Sequence, residues 1–103
     1  MDNEIVRLKD ALLNSHWPTC NTLAQQIFDI GGDAAKEVLL EGLKGKRHHI
    51  RTAAIKQLGK MGNASLVEKI KPYLNDASYE TRMEAKNAIK ELTGEIVLTS
   101  RGE

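Results

Sequence analysis

At 103 residues the chain has room for one small domain. Hydrophobic residues make up 41% of it but aromatics only 4%, so a core must be built from Leu, Ile, Val and Ala at close range, which suits helices laid on helices better than a ring-filled sandwich. A net charge of +1 excludes a general pull toward nucleic acid, anionic lipid or acidic substrates, and the single cysteine, Cys20, excludes an internal disulfide.

In chain order, the opening MDNEIVRLKD carries charges where a secretory leader needs an apolar stretch. No apolar run approaches the ~18–20 residues of a membrane span. With a lone thiol, which fits a reducing compartment, this predicts a cytoplasmic protein with no membrane partner. Ile5, Leu8 and Leu12 fall on one stripe and predict a helix over 2–14. Pro18 suits the first turn of a second helix, 18–30, because its missing N–H would be unpaired there anyway. Gly31-Gly32 ends that helix, and a third runs over 33–44. Ala54, Leu58 and Met61 mark a fourth over 49–61, closed by Gly62-Asn63. Ser65 and Glu68 read as a capping box opening a fifth, 65–75, with a kink expected at Pro72. Asp76 and Ser78 suit the start of a sixth, 78–93, with its stripe at Ala85, Ile89 and Leu92. Residues 95–99 are apolar and β-prone, and 100–103 look frayed. Ile96 to Leu98 either fold back over the last helix pair or add as a strand to another chain.

One period organises these elements. Arg51, Ala54, Leu58 and Met61 recur 31 residues later as Arg82, Ala85, Ile89 and Leu92, and 31 residues earlier as Cys20, Leu23, Ile27 and Ile30. Leu8, Leu39 and Ile70 share a register, as do Leu12, Leu43 and Leu74. Three helix pairs result, about 1–31, 32–62 and 63–94, forming a domain over 1–94 with a tail over 95–103. About three such units are needed before stacking buries a continuous core.

The stretch Ile50-Arg51-x-x-Ala54-x-x-x-Leu58-Gly59-x-Met61-Gly62 resembles the second helix of a HEAT repeat, and Thr81-Arg82-x-x-Ala85-x-x-Ala88-Ile89 is a weaker copy. The short period resembles the HEAT-like variety that also occurs in phycobilisome lyases. The resemblance implies an all-α fold, a right-handed α-solenoid of three HEAT-like hairpins. It implies a non-catalytic protein-interaction or scaffold module that binds an unidentified protein or peptide, with self-association through solenoid ends as a further expectation. It also implies an ion pair between each repeat's Arg and an Asp at the preceding inter-helix turn. That turn reads Asn14, Gly45 and Asp76, so the last copy alone keeps an acid, and the first copy has Cys20 in place of Arg. A bilin-lyase-like enzyme or accessory subunit is the alternative that the resemblance leaves open.

Residues that carry chemistry are sparse, and no catalytic residue, cofactor or metal is expected. His16, His48 and His49 lack zinc-ligand spacing, and neighbours on a helix point about 100° apart, which argues against shared ligation. Nothing in the sequence supplies Cys20 with a partner that would activate it, and its register with Arg51 and Arg82 makes it read as a small, partly buried residue. Three surface features qualify as candidates. On the second helices, Asn21, Gln25, Thr52, Lys56, Met83 and Asn87 form polar columns on the face that solenoids offer to partners. Trp17, His48 and Tyr79 align along one edge, where rings either anchor a peptide or cover a neighbouring apolar seam. The run containing Lys44, Lys46, Arg47, His48 and Arg51 forms a basic turn, either solvated or able to seat an anion weakly; nucleic acid is not the expected partner.

Overall fold

Apolar stripes at helical spacing become helices at nearly every predicted position. The computed structural model describes residues 3–103. Among them six α-helices follow one another: α1 Asn3–Leu13, α2 Thr19–Ile30, α3 Gly32–Gly42, α4 His48–Lys60, α5 Val67–Ile70 and α6 Tyr79–Thr93. No strand occurs among the described residues. The beginning of the predicted 1–94 domain and of the first helix at residue 2 lie outside them. None of the described helices is long and apolar enough to cross a membrane.

The fifth helix departs from expectation. Instead of one kinked helix over 65–75, a 3₁₀ turn at Ala64–Leu66 leads into the single α-turn of α5, and a second 3₁₀ segment, Lys71–Asn75, follows. Pro72 has no N–H for the carbonyl of Glu68 and its ring crowds that carbonyl, so the backbone tightens to i→i+3 bonding from Lys71 onward. The cap also differs. Asn63, not Ser65, closes the N-terminus: its Oδ1 accepts from Ser65 N at 3.0 Å and from Ser65 Oγ at 2.6 Å. The Asn just before the Ser–Glu pair outcompetes it as a cap because its short amide reaches the backbone without ordering a long side chain. Ser78 caps α6 as expected, its Oγ accepting from Thr81 N.

The body measures 41 × 25 × 16 Å. Helix α4 is its centre, packed most extensively on α6 and also on α2 and α3, while α1 covers α2 and α3. Ala24, Ile27, Leu39, Ile50, Ala54, Ile55, Leu58, Ile70, Ala85, Ala88 and Ile89 form its core. Each shared register is enclosed at two of its three positions. Leu39 and Ile70 are enclosed but Leu8 is half-buried, and Leu12 and Leu43 are enclosed but Leu74 is half-buried. Small residues set the spacing between helices. A Cβ on Gly59 would stand 3.0 Å from the Ala88 Cα, so α4 and α6 meet there backbone to backbone.

Charged side chains lock the turns, in an arrangement different from the expected one. The Asp76 carboxylate takes Arg51, from the preceding unit, through Nε at 2.8 Å and Nη2 at 3.0 Å. Arg51 also donates to the Gly45 and Lys46 carbonyls. Burial acts to raise the Asp76 pKa, but the Arg51 and Ser78 N–H hydrogen bonds outweigh it and hold the group below its ordinary value. Arg82, expected to use Asp76, instead donates to the Asp76 and Ala77 carbonyls and pairs with Glu103 at 2.7 and 3.1 Å.

The tail is therefore not frayed. It folds back on the last unit, but by its polar residues and Val97 rather than by the apolar run: Ile96 and Leu98 are 73% and 64% exposed. Ser100 N donates to the Leu74 carbonyl, Lys86 Nζ to the Glu103 carbonyl, and buried Thr99 donates through Oγ1 to Glu103 Oε1. Docking through hydrogen bonds and an ion pair leaves no mark on hydropathy.

Candidate functional site

Helices α2, α4 and α6 present their first turns side by side, and a cleft of about 190 Å³ opens along them. Trp17 and Asn21 line it from the α2 side, His49, Thr52, Ala53 and Lys56 from α4, and Glu80 and Glu84 from α6. A neighbouring hollow of about 360 Å³ between α2 and α4 shares Asn21 and Lys56 and adds Thr22, Gln25, Gln26 and Gln57. Four of the six predicted face residues thus come together: Asn21, Gln25, Thr52 and Lys56. Met83, half-buried, and Asn87, exposed, line neither space.

The walls are joined by hydroxyls. Thr52 Oγ1 and Thr81 Oγ1 lie 2.8 Å apart, and Thr81 Oγ1 also donates to the His48 carbonyl at 3.4 Å. This contact sets the α6 first turn against α4 so that Glu80 and Glu84 enter the cleft. Burial pushes the Glu84 carboxyl up, and neighbouring Glu91 and Glu80 add to that while Lys56 opposes it. Beside the cleft, Gln25 Nε2 donates to Asp29 and Lys60 Nζ donates to Gln25 Oε1, so this part of the α2 face is tied to α4.

Gln57 is the residue that patterning did not single out. It is 4% exposed, and its Oε1 is buried with no hydrogen-bond partner among the described residues. An acceptor left in that condition costs about 1–3 kcal/mol. The 31-residue register pairs it with Gln26 and Ala88, which share no polar character, so no column marks it.

Of the edge residues, Trp17 and Tyr79 are 61% and 62% exposed, so neither ring is absorbed into a seam. The Trp17–Pro18 peptide bond is cis. Trp17 meets His49, at 5.9 Å between ring centroids, and not His48, while Tyr79 lies under the Arg82 guanidinium at 5.7 Å. His48 belongs to a separate group: its ring lies 3.9 Å from that of His49, and both approach Glu80. The expectation that the two histidines point apart does not hold. The 100° turn separates their Cα–Cβ bonds, but the longer side chains converge on a carboxylate supplied by α6. The 31-residue register already placed His49 in line with Glu80.

In the basic turn, Arg51 is committed to Asp76 and two carbonyls, and Arg47 Nη1 donates to the Ser15 carbonyl at 3.3 Å. Lys44 stands 4.0 Å from Glu41, and Lys46 is exposed, lining a hollow with Arg47, His48, His49 and Arg51. The two arginines are thus spent on holding loops together, while the two lysines face solvent. Cys20 is fully enclosed, its Sγ donating to the His49 carbonyl at 3.5 Å, and burial pushes the thiol pKa up, away from nucleophilic reactivity.

No protein-family model matches the chain, and no curated protein matches it either. The fold and the cleft together define an all-helical chain with a polar, aromatic-edged recess along its paired helices.

Proposed function

We propose that this chain is a non-catalytic protein-interaction module, a short α-solenoid of three HEAT-like hairpins that holds a peptide segment of its partner along α2, α4 and α6. The observation that carries the reading is the Trp17 ring, 61% exposed at the rim of a cleft lined by Asn21, Thr52, Lys56, Glu80 and Glu84. Trp17 at the rim supplies rigid apolar area of the kind that anchors interfaces. Glu80 and Glu84 opposite Lys56 give the recess both signs of charge, suited to a polar segment rather than to a polyanion. Further support comes from the 31-residue register, the stacking of α4 between α2 and α6, and the elongated outline of the body.

The test is affinity capture with the wild-type chain and with Trp17→Ala, Lys56→Glu and Gln57→Leu. A protein recovered by the wild type should be lost, or weakened at least about tenfold, with Trp17→Ala and Lys56→Glu, in line with a hot-spot contact. Gln57→Leu should leave capture unchanged and the fold as stable as before or more so, since it removes an enclosed, unpaired acceptor that no partner reaches. Full retention of the partner by both Trp17→Ala and Lys56→Glu would rule out this recess as its seat.

A further inference from the structure

We infer that His48, His49 and Glu80 form a divalent transition-metal site, of the kind that takes Zn²⁺, at the junction of α4 and α6. His48 Nε2 lies 3.5 Å and His49 Nδ1 3.2 Å from the same oxygen, Glu80 Oε1. One ligating atom from each of the three falls within 4.8 Å of the other two. Donors bound to Zn²⁺ at ~2.0–2.1 Å in a tetrahedron stand ~3.3 Å apart, so the two short separations are already those of coordinated ligands. Two imidazoles and one carboxylate match a borderline-soft ion, whereas Ca²⁺ and Mg²⁺ prefer all-oxygen shells.

The surroundings permit the charge. Of the cations nearby, Arg51 is neutralised by Asp76 and Arg47 is turned toward the Ser15 carbonyl, while Lys46 and Lys56, on the adjoining hollows, are exposed and flexible enough to turn away into solvent. Against the site stand two helix N-termini, since His48 and His49 open α4 and Glu80 lies in the first turn of α6. Three ligands in that field hold the ion more weakly than a closed four-ligand structural site and leave a coordination position for water or for a partner's donor. The group is half-buried to exposed, so an ion has a path in without rearrangement of the core.

Trp17 is the chain's single tryptophan and its ring stands beside His49, which gives the site its own optical probe. Titration of the untagged protein with Co²⁺ should quench Trp17 emission saturably, with one ion per chain, and Zn²⁺ should compete the quenching away. His49→Gln and Glu80→Gln should each weaken Co²⁺ about tenfold or more. Glu80 is 57% exposed in its side chain, so Glu80→Gln decides the matter even where a histidine substitution disturbs α4. His16→Ala, next to Trp17 in sequence, should leave the titration unchanged. Absence of saturable quenching, equal Co²⁺ affinity in the Glu80→Gln protein, or loss of quenching in His16→Ala alone would overturn the assignment.

Discussion

Asp76 has a side chain only 7% exposed and faces an Arg51 that is 18% exposed, so removing one partner strands the other in a site with little water. Asp76→Ala should lower unfolding free energy by about 3 kcal/mol, the lower end of the cost of breaking a largely enclosed pair, as read from urea denaturation. The Ser78 N–H loses an acceptor in the same substitution, so Asp76→Asn should be milder. Glu103 provides a pH test. Its Arg82 and Thr99 hydrogen bonds hold its carboxyl at about 2 against an ordinary 4.5. A depressed carboxylate adds stability that is complete above the ordinary value and disappears as the pH falls toward the folded one. Melting temperature followed from pH 5 to pH 2 should therefore drop more steeply in the wild type than in Glu103→Gln, which has no carboxylate to protonate. Parallel curves for the two proteins would mean that the tail contributes nothing through this group.

At the scale of elements, the contact of Gly59 with Ala88 makes a simple substitution informative. Alanine in a helix interior is ordinarily better than glycine by about 1 kcal/mol. Here the added methyl meets the α6 backbone at 3.0 Å, and two helices must part to admit it. Gly59→Ala should thus destabilise the chain by about 1–3 kcal/mol, the usual cost of overpacking, when thermal or urea unfolding is measured. The elements themselves were readable from stripes such as Ala54-Leu58-Met61, because burial of one helix face leaves a direct mark on residue type. The broken fifth helix was less so. Pro72 announced a disturbance, but whether a helix bends or tightens depends on neighbouring contacts that periodicity does not encode. Similarly, the partner of each arginine was not legible. An acid at a fixed register can serve the helix before it or after it, and Asp76 serves the one before. Of the polar columns, Asn21, Thr52 and Lys56 line one cleft. The columns omitted Glu80, Glu84 and Gln57, because spacing within a helix says which residues share its face but not what the next helix places opposite.

For the molecule as a whole, α4 is central and leans on elements made after it. Its largest interface is with α6, and Arg51 has its acid only once residue 76 is in place. A fragment ending at residue 62 should therefore show little of the helical circular dichroism of the full chain, and a stable, fully helical fragment would contradict this dependence. The same forward-reaching closure appears between Arg82 and Glu103. As the polypeptide leaves the ribosome, each guanidinium emerges before the carboxylate that will receive it, by 25 residues in the first case and 21 in the second. Assembly of the body is in this sense vectorial: each turn is latched only after synthesis has moved well past it.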